Sequence, residues 1–349
     1  MNTAARENFR QQAGWCERLG SPFTARLCRL LHDGLDEQSA FGRRLLNWSG
    51  NPEADAIALR ACAAFAFLAR KGEPNLGKLY PPNLPADDSA LERGIAKAIG
   101  DFDAELTAFL DSAPQTNEVG RSAILLPAYL EIAARTGLPL SIREIGASAG
   151  LNLWFDQYHY VYGDSSWGPA HASVHIACDW RGDTPPPSAS LQIADRRGCD
   201  LAPIDPSDER SRDRMLAYVW ADQNERLARA EAAMRLAATW AVRVEAIDAA
   251  RFVAREFAAP SPGRALTLTH TIFWQYLPAA TKAALRATMA EAAERATAQS
   301  PLAWLRLEAE SEEKRGAVLR LSIWPDGPVD AKLAVASFHG AWIDWQGVA

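Results

Sequence analysis

Lysine is scarce in this chain: only six of its 37 basic residues are Lys. Arg carries the positive charge, but 43 acidic residues leave a net charge of −6. There is no cationic surplus to draw in nucleic acid or an anionic membrane. No stretch approaches 18 uncharged apolar residues, so no membrane-spanning helix is predicted. The opening "MNTAARENFRQQAGWCERLG" lacks the apolar core of a secretory signal, and a cytoplasmic protein is expected. The cysteines are few and odd in number, Cys16, Cys28, Cys62, Cys178 and Cys199, with no C-x-x-C among them. Reduced, partly buried thiols are expected rather than a disulfide framework. H-E-x-x-H is absent as well. His171 and His175, with His159 and Cys178 nearby, have helical metal-ligand spacing, but Pro169 and the alternating pattern argue against a helix there, and no metal is expected.

What remains is an ordinary soluble composition, 48% apolar and 23% charged over 349 residues, enough for one large domain or two. Residues 1–136 read as an all-helical domain. Apolar residues fall at Leu91, Ile95, Ile99, Phe102, Leu106 and Phe109, the stripe of an amphipathic helix. Similar runs cover 56–69 and 121–135, the last stopping at Gly137 before Pro139. From 137 to 349 the pattern changes to β-type runs at 140–145, 191–200, 242–247, 265–272 and 301–308. Helical runs at 150–157, 208–238, 249–258 and 278–298 alternate with them. Alternation of this kind predicts a mainly parallel, doubly wound sheet with helices on both faces. "AVLRLSIW" and "KLAVASFHGAWIDW" are joined by too short a link for a crossover, so they pair antiparallel. Residues 158–190 interrupt the order, with "YHYVY" and "SVHIACDW" alternating like hairpin strands. Tyr158, Tyr160 and Tyr162 would share one side and pack on the helical domain.

"SIREIGASAGLNL" follows the first strand. As G-x-S-x-G it would present Ser148 as a nucleophile, with Asp326 or Asp330 and then His339 in Ser…Asp…His order. Yet 139 largely helical residues precede it, and no HGGG-like stretch supplies an oxyanion hole. As a small-residue loop opening a helix, it would let a nucleotide approach the backbone through Gly146, Ser148, Gly150 and Asn152. Glu144 then stands where class I S-adenosylmethionine-dependent methyltransferases keep an acidic residue. A turn serving only tight strand–helix packing is the plainer reading. Asp200 ends the second strand and can accept from a ribose diol, although it lies 54 residues past Gly146 where about 20 is usual. Asp179 is its rival. Asp248 and Ala249 end the third strand, where such folds meet the adenine edge; Asp248 also reads as a helix N-cap. Five strands and a closing pair make the seven-stranded sheet of the class I methyltransferase, Rossmann-type fold.

"EIGASAGLNL", the Y-x-Y-x-Y-G run, "RRGCDLAPID", "YVWADQNERLAR", "HTIFWQYLP" and "FHGAWIDW" together resemble the bacterial family catalogued as domain of unknown function 2332. The resemblance spans nearly the whole chain and implies no reaction. The fourth strand ends in His270, followed by Trp274, Gln275 and Tyr276. His270 is placed as a general base, or else as a hydrogen-bonded core histidine; Tyr276 joins it, and Trp274 and Gln275 are placed to meet substrate. In "WADQNER", Trp220, Gln223, Asp222 and Arg226 share a face, the last two reading as solvated. The leading expectation is methyl transfer from S-adenosylmethionine to an unidentified small molecule. A serine hydrolase using Ser148, and a sheet that binds a nucleotide-like ligand or partner without chemistry, are the alternatives. For the helical domain, a lid and a homodimer surface both stay open.

Overall fold

The computed structural model describes residues 3–83, 85, 87–184, 186–240 and 244–347. Its helices are α1 (Thr3–Arg18), α2 (Pro22–Gly34), α3 (Ala40–Leu46), α4 (Ile57–Arg70), α5 (Pro74–Gly77), α6 (Asp88–Phe109), α7 (Ser122–Thr136), α8 (Glu209–Ala217), α9 (Asn224–Ala238), α10 (Ala249–Glu256) and α11 (Ala279–Glu294). Its strands are β1 (Leu140–Ile145), β2 (His159–Tyr162), β3 (Ser165–Trp167), β4 (His175–Ala177), β5 (Asp179–Trp180), β6 (Ile193–Asp200), β7 (Val244–Ala246), β8 (Ala265–Thr271), β9 (Leu302–Ala309), β10 (Ala317–Trp324), β11 (Ala331–Ala336) and β12 (Trp342–Trp345). No described helix is long and apolar enough to cross a membrane.

The chain divides into two compact units, Met1–Thr116 with Asp208–Glu231, and Asn117–Ser207 with Ala232–Ala349. The first is helical. Phe9, Leu27, Phe41, Phe65, Leu91 and Leu106 are among the side chains that fill its core. The helical run expected over 208–238 is two helices, α8 and α9. The break has a physical cause: Asp222 turns away from α9 and caps α2, accepting from Phe23 N at 2.8 Å and from Ser21 Oγ. Asp222 is thus a structural acceptor rather than part of a solvated face. Asp222→Ala should lower stability by about 1–2 kcal/mol, because it leaves the first turn of α2 without its charged cap. A urea melt that matches wild type would contradict this role.

The second unit begins earlier than expected, at residue 117 rather than 137, so α7 belongs to it. Residues 122–130 of α7 are all buried, and a helix apolar on every side must be enclosed. Gly137 ends it in the left-handed conformation at φ 64°, its N–H donating to Ala133 O. The main sheet has nine strands in the order β5-β12-β11-β10-β9-β8-β1-β6-β7. β7, β6, β1, β8 and β9 are parallel, and β10, β11 and β12 follow antiparallel. It is therefore a mixed α/β, mainly parallel sheet, but not the seven-stranded one expected. The closing run is two strands because Ser337 Oγ accepts from Ala341 N at 2.8 Å and Gly340, at φ 78°, turns the chain. The inserted segment supplies the other extra strand, β5, alongside β12. Within that segment β2 pairs antiparallel with β3 but parallel with β4, so "YHYVY" and "SVHIACDW" are not a hairpin. For the strand expected over 242–247, residues 242 and 243 lie outside the described residues.

All five cysteines are free and buried. Burial pushes the Cys178 and Cys199 thiols up to about 12, which keeps them protonated and inert.

Candidate functional site

Read in chain order, the parallel strands β1, β6, β7, β8 and β9 stand third, second, first, fourth, fifth across the sheet. The order reverses between β1 and β8. An open α/β sheet binds ligands outside the carboxyl ends of its strands at such a point. Both strands leave it on unusual backbone: Ser148 has φ 53° after β1 and Ile272 φ 47° after β8. A β-branched residue at positive φ is strained, by about 1–3 kcal/mol, and such residues cluster at functional sites.

Glu144 is buried at 3% exposure near the end of β1. Its Oε2 has no hydrogen-bond partner among the described residues, nor has Ser148 Oγ, nor either amide atom of Asn152. Ser148 and Asn152 are buried as well. Nearly all buried polar atoms in folded proteins are paired, so three unmet side chains within nine residues call for a partner from outside the chain, water or ligand. Burial pushes the Glu144 carboxyl up to about 8; the Asn152 amide, a neighbour of the carboxyl that falls short of hydrogen-bond geometry, and the Arg121 guanidinium oppose the rise, and Asp200 adds to it.

Backbone donors of the loop, by contrast, are largely taken. Ala147 N donates to Cys199 O, Gly150 N to Ala147 O, Ser148 N to Asp200 Oδ2 and Leu151 N to Asn117 Oδ1. The expected helix over 150–157 is a 3-10 segment, Leu151–Gln157, irregular at Trp154. It offers no row of free N–H groups for a phosphate. Arg196 on β6 holds the segment instead, donating to Leu153 O at 2.7 Å and to both Asp156 oxygens at 2.6 and 2.9 Å. Gly146 is small for a packing reason: a Cβ there would lie 2.3 Å from the Phe273 ring. At Gly150 a Cβ would meet Val244 Cγ2 at 3.0 Å.

Asp200 lies beside this loop and braces it, accepting from Ser148 N and Ala202 N, each at 2.9 Å. Asp179 sits on β5, six strand spacings from β1, about 29 Å at the usual 4.8 Å each. That distance removes it as a rival to Asp200. Asp248 caps α10, accepting from Ala250 N at 2.9 Å and Arg251 N at 3.1 Å, and Ala249 is buried in the core.

The histidine cluster is elsewhere. Glu144 is paired in register with Thr269, whose Oγ1 accepts from Tyr129 Oη on α7 at 3.0 Å. His270, the next residue, points to the opposite face. It is wholly buried, with Nδ1 2.6 Å from Glu308 Oε1 and Nε2 accepting from Trp304 Nε1 at 3.2 Å. Trp274 stacks on it with ring centroids 5.3 Å apart. Both ring nitrogens are engaged, as in a hydrogen-bonded core histidine. A role as base would first require the Trp304 bond to open. Gln275 is exposed and Tyr276 is 71% exposed, neither one drawn into this cluster.

Of the residues a hydrolase would need, Asp330 is engaged elsewhere. Asp330 binds Arg306 and Arg320 before β11, whereas His339 follows that strand, about 20 Å further along. Tyr158, Tyr160 and Tyr162 are buried within the α/β unit, donating to Leu151 O, Phe155 O and Ala123 O at 2.6, 2.8 and 2.6 Å. Tyr162 thus bonds α7, the helix expected to close the helical domain. His159 and His175 face each other across β2 and β4 with rings 5.3 Å apart.

Sequence reasoning missed Asn117 and Arg121. Arg121 donates to Phe338 O at 3.0 Å, and its charge reaches Glu144. Both residues lie in "NEVGR" before α7, and no motif or periodicity distinguishes them.

The chain belongs to the family described as "Uncharacterized protein conserved in bacteria (DUF2332)", whose model matches residues 6–345. No curated protein and no solved structure matches it.

Proposed function

We propose that the carboxyl end of β1 binds a small ligand, that this ligand is S-adenosylmethionine, and that the protein transfers its methyl group to a small molecule. The observation that carries the reading is the set of unmet buried atoms on Glu144, Ser148 and Asn152, at the reversal of strand order. These residues fit the amino-acid end of such a cofactor: a carboxyl for an ammonium group, an amide and a hydroxyl for a carboxylate. Asp200 retains acceptor capacity for a ribose diol, since each oxygen has so far taken one backbone N–H. S-adenosylmethionine, when bound, supplies an electrophilic methyl group.

A second reading, ligand binding without transfer, draws support from the packed loop. Phe273 lies against Gly146, the loop donors are used internally, and His270 has no free nitrogen.

Calorimetric titration with S-adenosylhomocysteine tests the shared step. Wild type should bind it. Asn152→Ala should weaken binding about 10–100-fold, the effect of removing a hydrogen bond to a charged group. A cationic ligand beside Glu144 favours the ionised carboxylate, so binding near pH 7 should release a proton, and the measured heat should vary with the buffer's ionisation enthalpy. Absence of binding rejects the cofactor. Binding without transfer to any tested acceptor favours the second reading.

A further inference from the structure

Beside the loop after β1 lies a cleft of about 400 Å³, lined by Ala149, Pro203, Ile204, Ala237, Trp240 and Val244 among others. Ligand pockets span roughly this size and upward. The cleft is tied to the candidate site, because Ile204 N donates to Ser148 O at 3.2 Å. Its wall is one end of a run of packed groups, in which the two indoles are tilted by 36°. The Arg196 guanidinium lies 4.5 Å from the centroid of the Trp154 ring, and Asp156 holds that guanidinium by both oxygens. Trp154 is buried, and its ring centroid is 4.9 Å from that of Trp240. Trp240 is 50% exposed, so the last indole of the run leaves part of its surface to the cleft.

A large aromatic ring held by a buried partner and half open to a cleft is a preformed stacking surface. Its conformational entropy is already reduced by Trp154, so a flat ring that covers it gains contact at small ordering cost. The rest of the lining is aliphatic apart from Asp205 and Ser207, which place one carboxylate and one hydroxyl at the cleft.

We infer that this cleft is a subsite for a planar aromatic or heteroaromatic ring, stacked on Trp240. The inference deepens the proposed function and rests on it only in assigning the ring's bearer, which is either the base of the cofactor or the ring of the methyl acceptor. The stacking itself stands on Trp240, Trp154 and the cleft.

Two probes test it, adenosine and 2-naphthol, followed by saturation-transfer NMR and calorimetry on the full-length protein. At least one should bind wild type. Trp240→Ala should weaken that binding roughly tenfold or more, the usual effect of losing one stacking partner, and Trp240→Phe should restore most of it. Thermal melts of both variants should match wild type, since the side chain is half exposed; if Trp240→Ala melts early, Trp240→Leu replaces it. Failure of both probes to bind wild type overturns the subsite, as does equal binding to wild type and a folded Trp240→Ala or Trp240→Leu. Competition assigns the bearer: displacement of the probe by S-adenosylhomocysteine gives the ring to the cofactor, and simultaneous binding gives it to the acceptor. A probe that binds through Trp240 while S-adenosylhomocysteine does not bind at all keeps the subsite and rejects the cofactor.

Discussion

Glu144→Gln will be more stable than wild type above neutral pH, and the difference between the two will grow as pH rises from about 4.5 to about 8. The Glu144 carboxyl is buried, and burial raises it from 4.5 to about 8. Between those values the folded chain keeps a proton that the unfolded chain has lost. The contribution of Glu144 to stability is therefore greatest below pH 4.5 and falls as pH climbs through 8, where the folded carboxyl ionises too. A shift of this size corresponds to a loss on the order of 3–5 kcal/mol across the window. Gln keeps the shape and cannot ionise, so it removes the loss. Urea denaturation of both proteins at pH 5.5, 7.0 and 8.5 measures the effect as a difference, which cancels the other titrating groups. A difference that is constant with pH would mean that Glu144 is not held in its protonated form.

Gly146→Val will destabilise the α/β unit by about 2–5 kcal/mol, rather than simply emptying a ligand site. A Cβ at this position would stand 2.3 to 2.8 Å from three atoms of the Phe273 ring, and φ is 67°. Overpacking costs typically 1–3 kcal/mol, and a β-branched residue in the left-handed region adds about 1–2 more. The Phe273 backbone is held, its N–H donating to both Glu308 oxygens at 3.1 Å, so the ring can clear a new Cβ only by leaving its rotamer. A second substitution, Phe273→Ala, should recover part of the lost stability by opening the space, while the φ cost remains. Melting temperatures of the two singles and the double resolve the coupling. An additive pair would show that the ring and the loop do not press on each other.

The same two positions mark the limit of what the residues foretold. Alternating β-type and helical runs gave the order of elements, the parallel sheet and α4, α6 and α7 close to their ends, because hydrophobic period and turn residues are local properties. Glu144 was legible as an acid at a strand end, but its burial and its unmet oxygen were not, since both depend on what packs around it from elsewhere in the chain. Asp222 read as a solvated acid on a helix; the helix breaks there because its carboxylate is needed 199 residues away, at Phe23. His270 and Glu144 looked like parts of one crevice, each ending a strand beside the switch point. Register decides otherwise: Glu144 is level with Thr269, and one further residue turns His270 to the other face, where Glu308 and Trp304 occupy its nitrogens. By itself the sequence determined the class of fold and singled out the loop that carries the candidate site. Only the tertiary structure decided which side chains share that site, because strand pairing and burial act between residues that no local pattern connects.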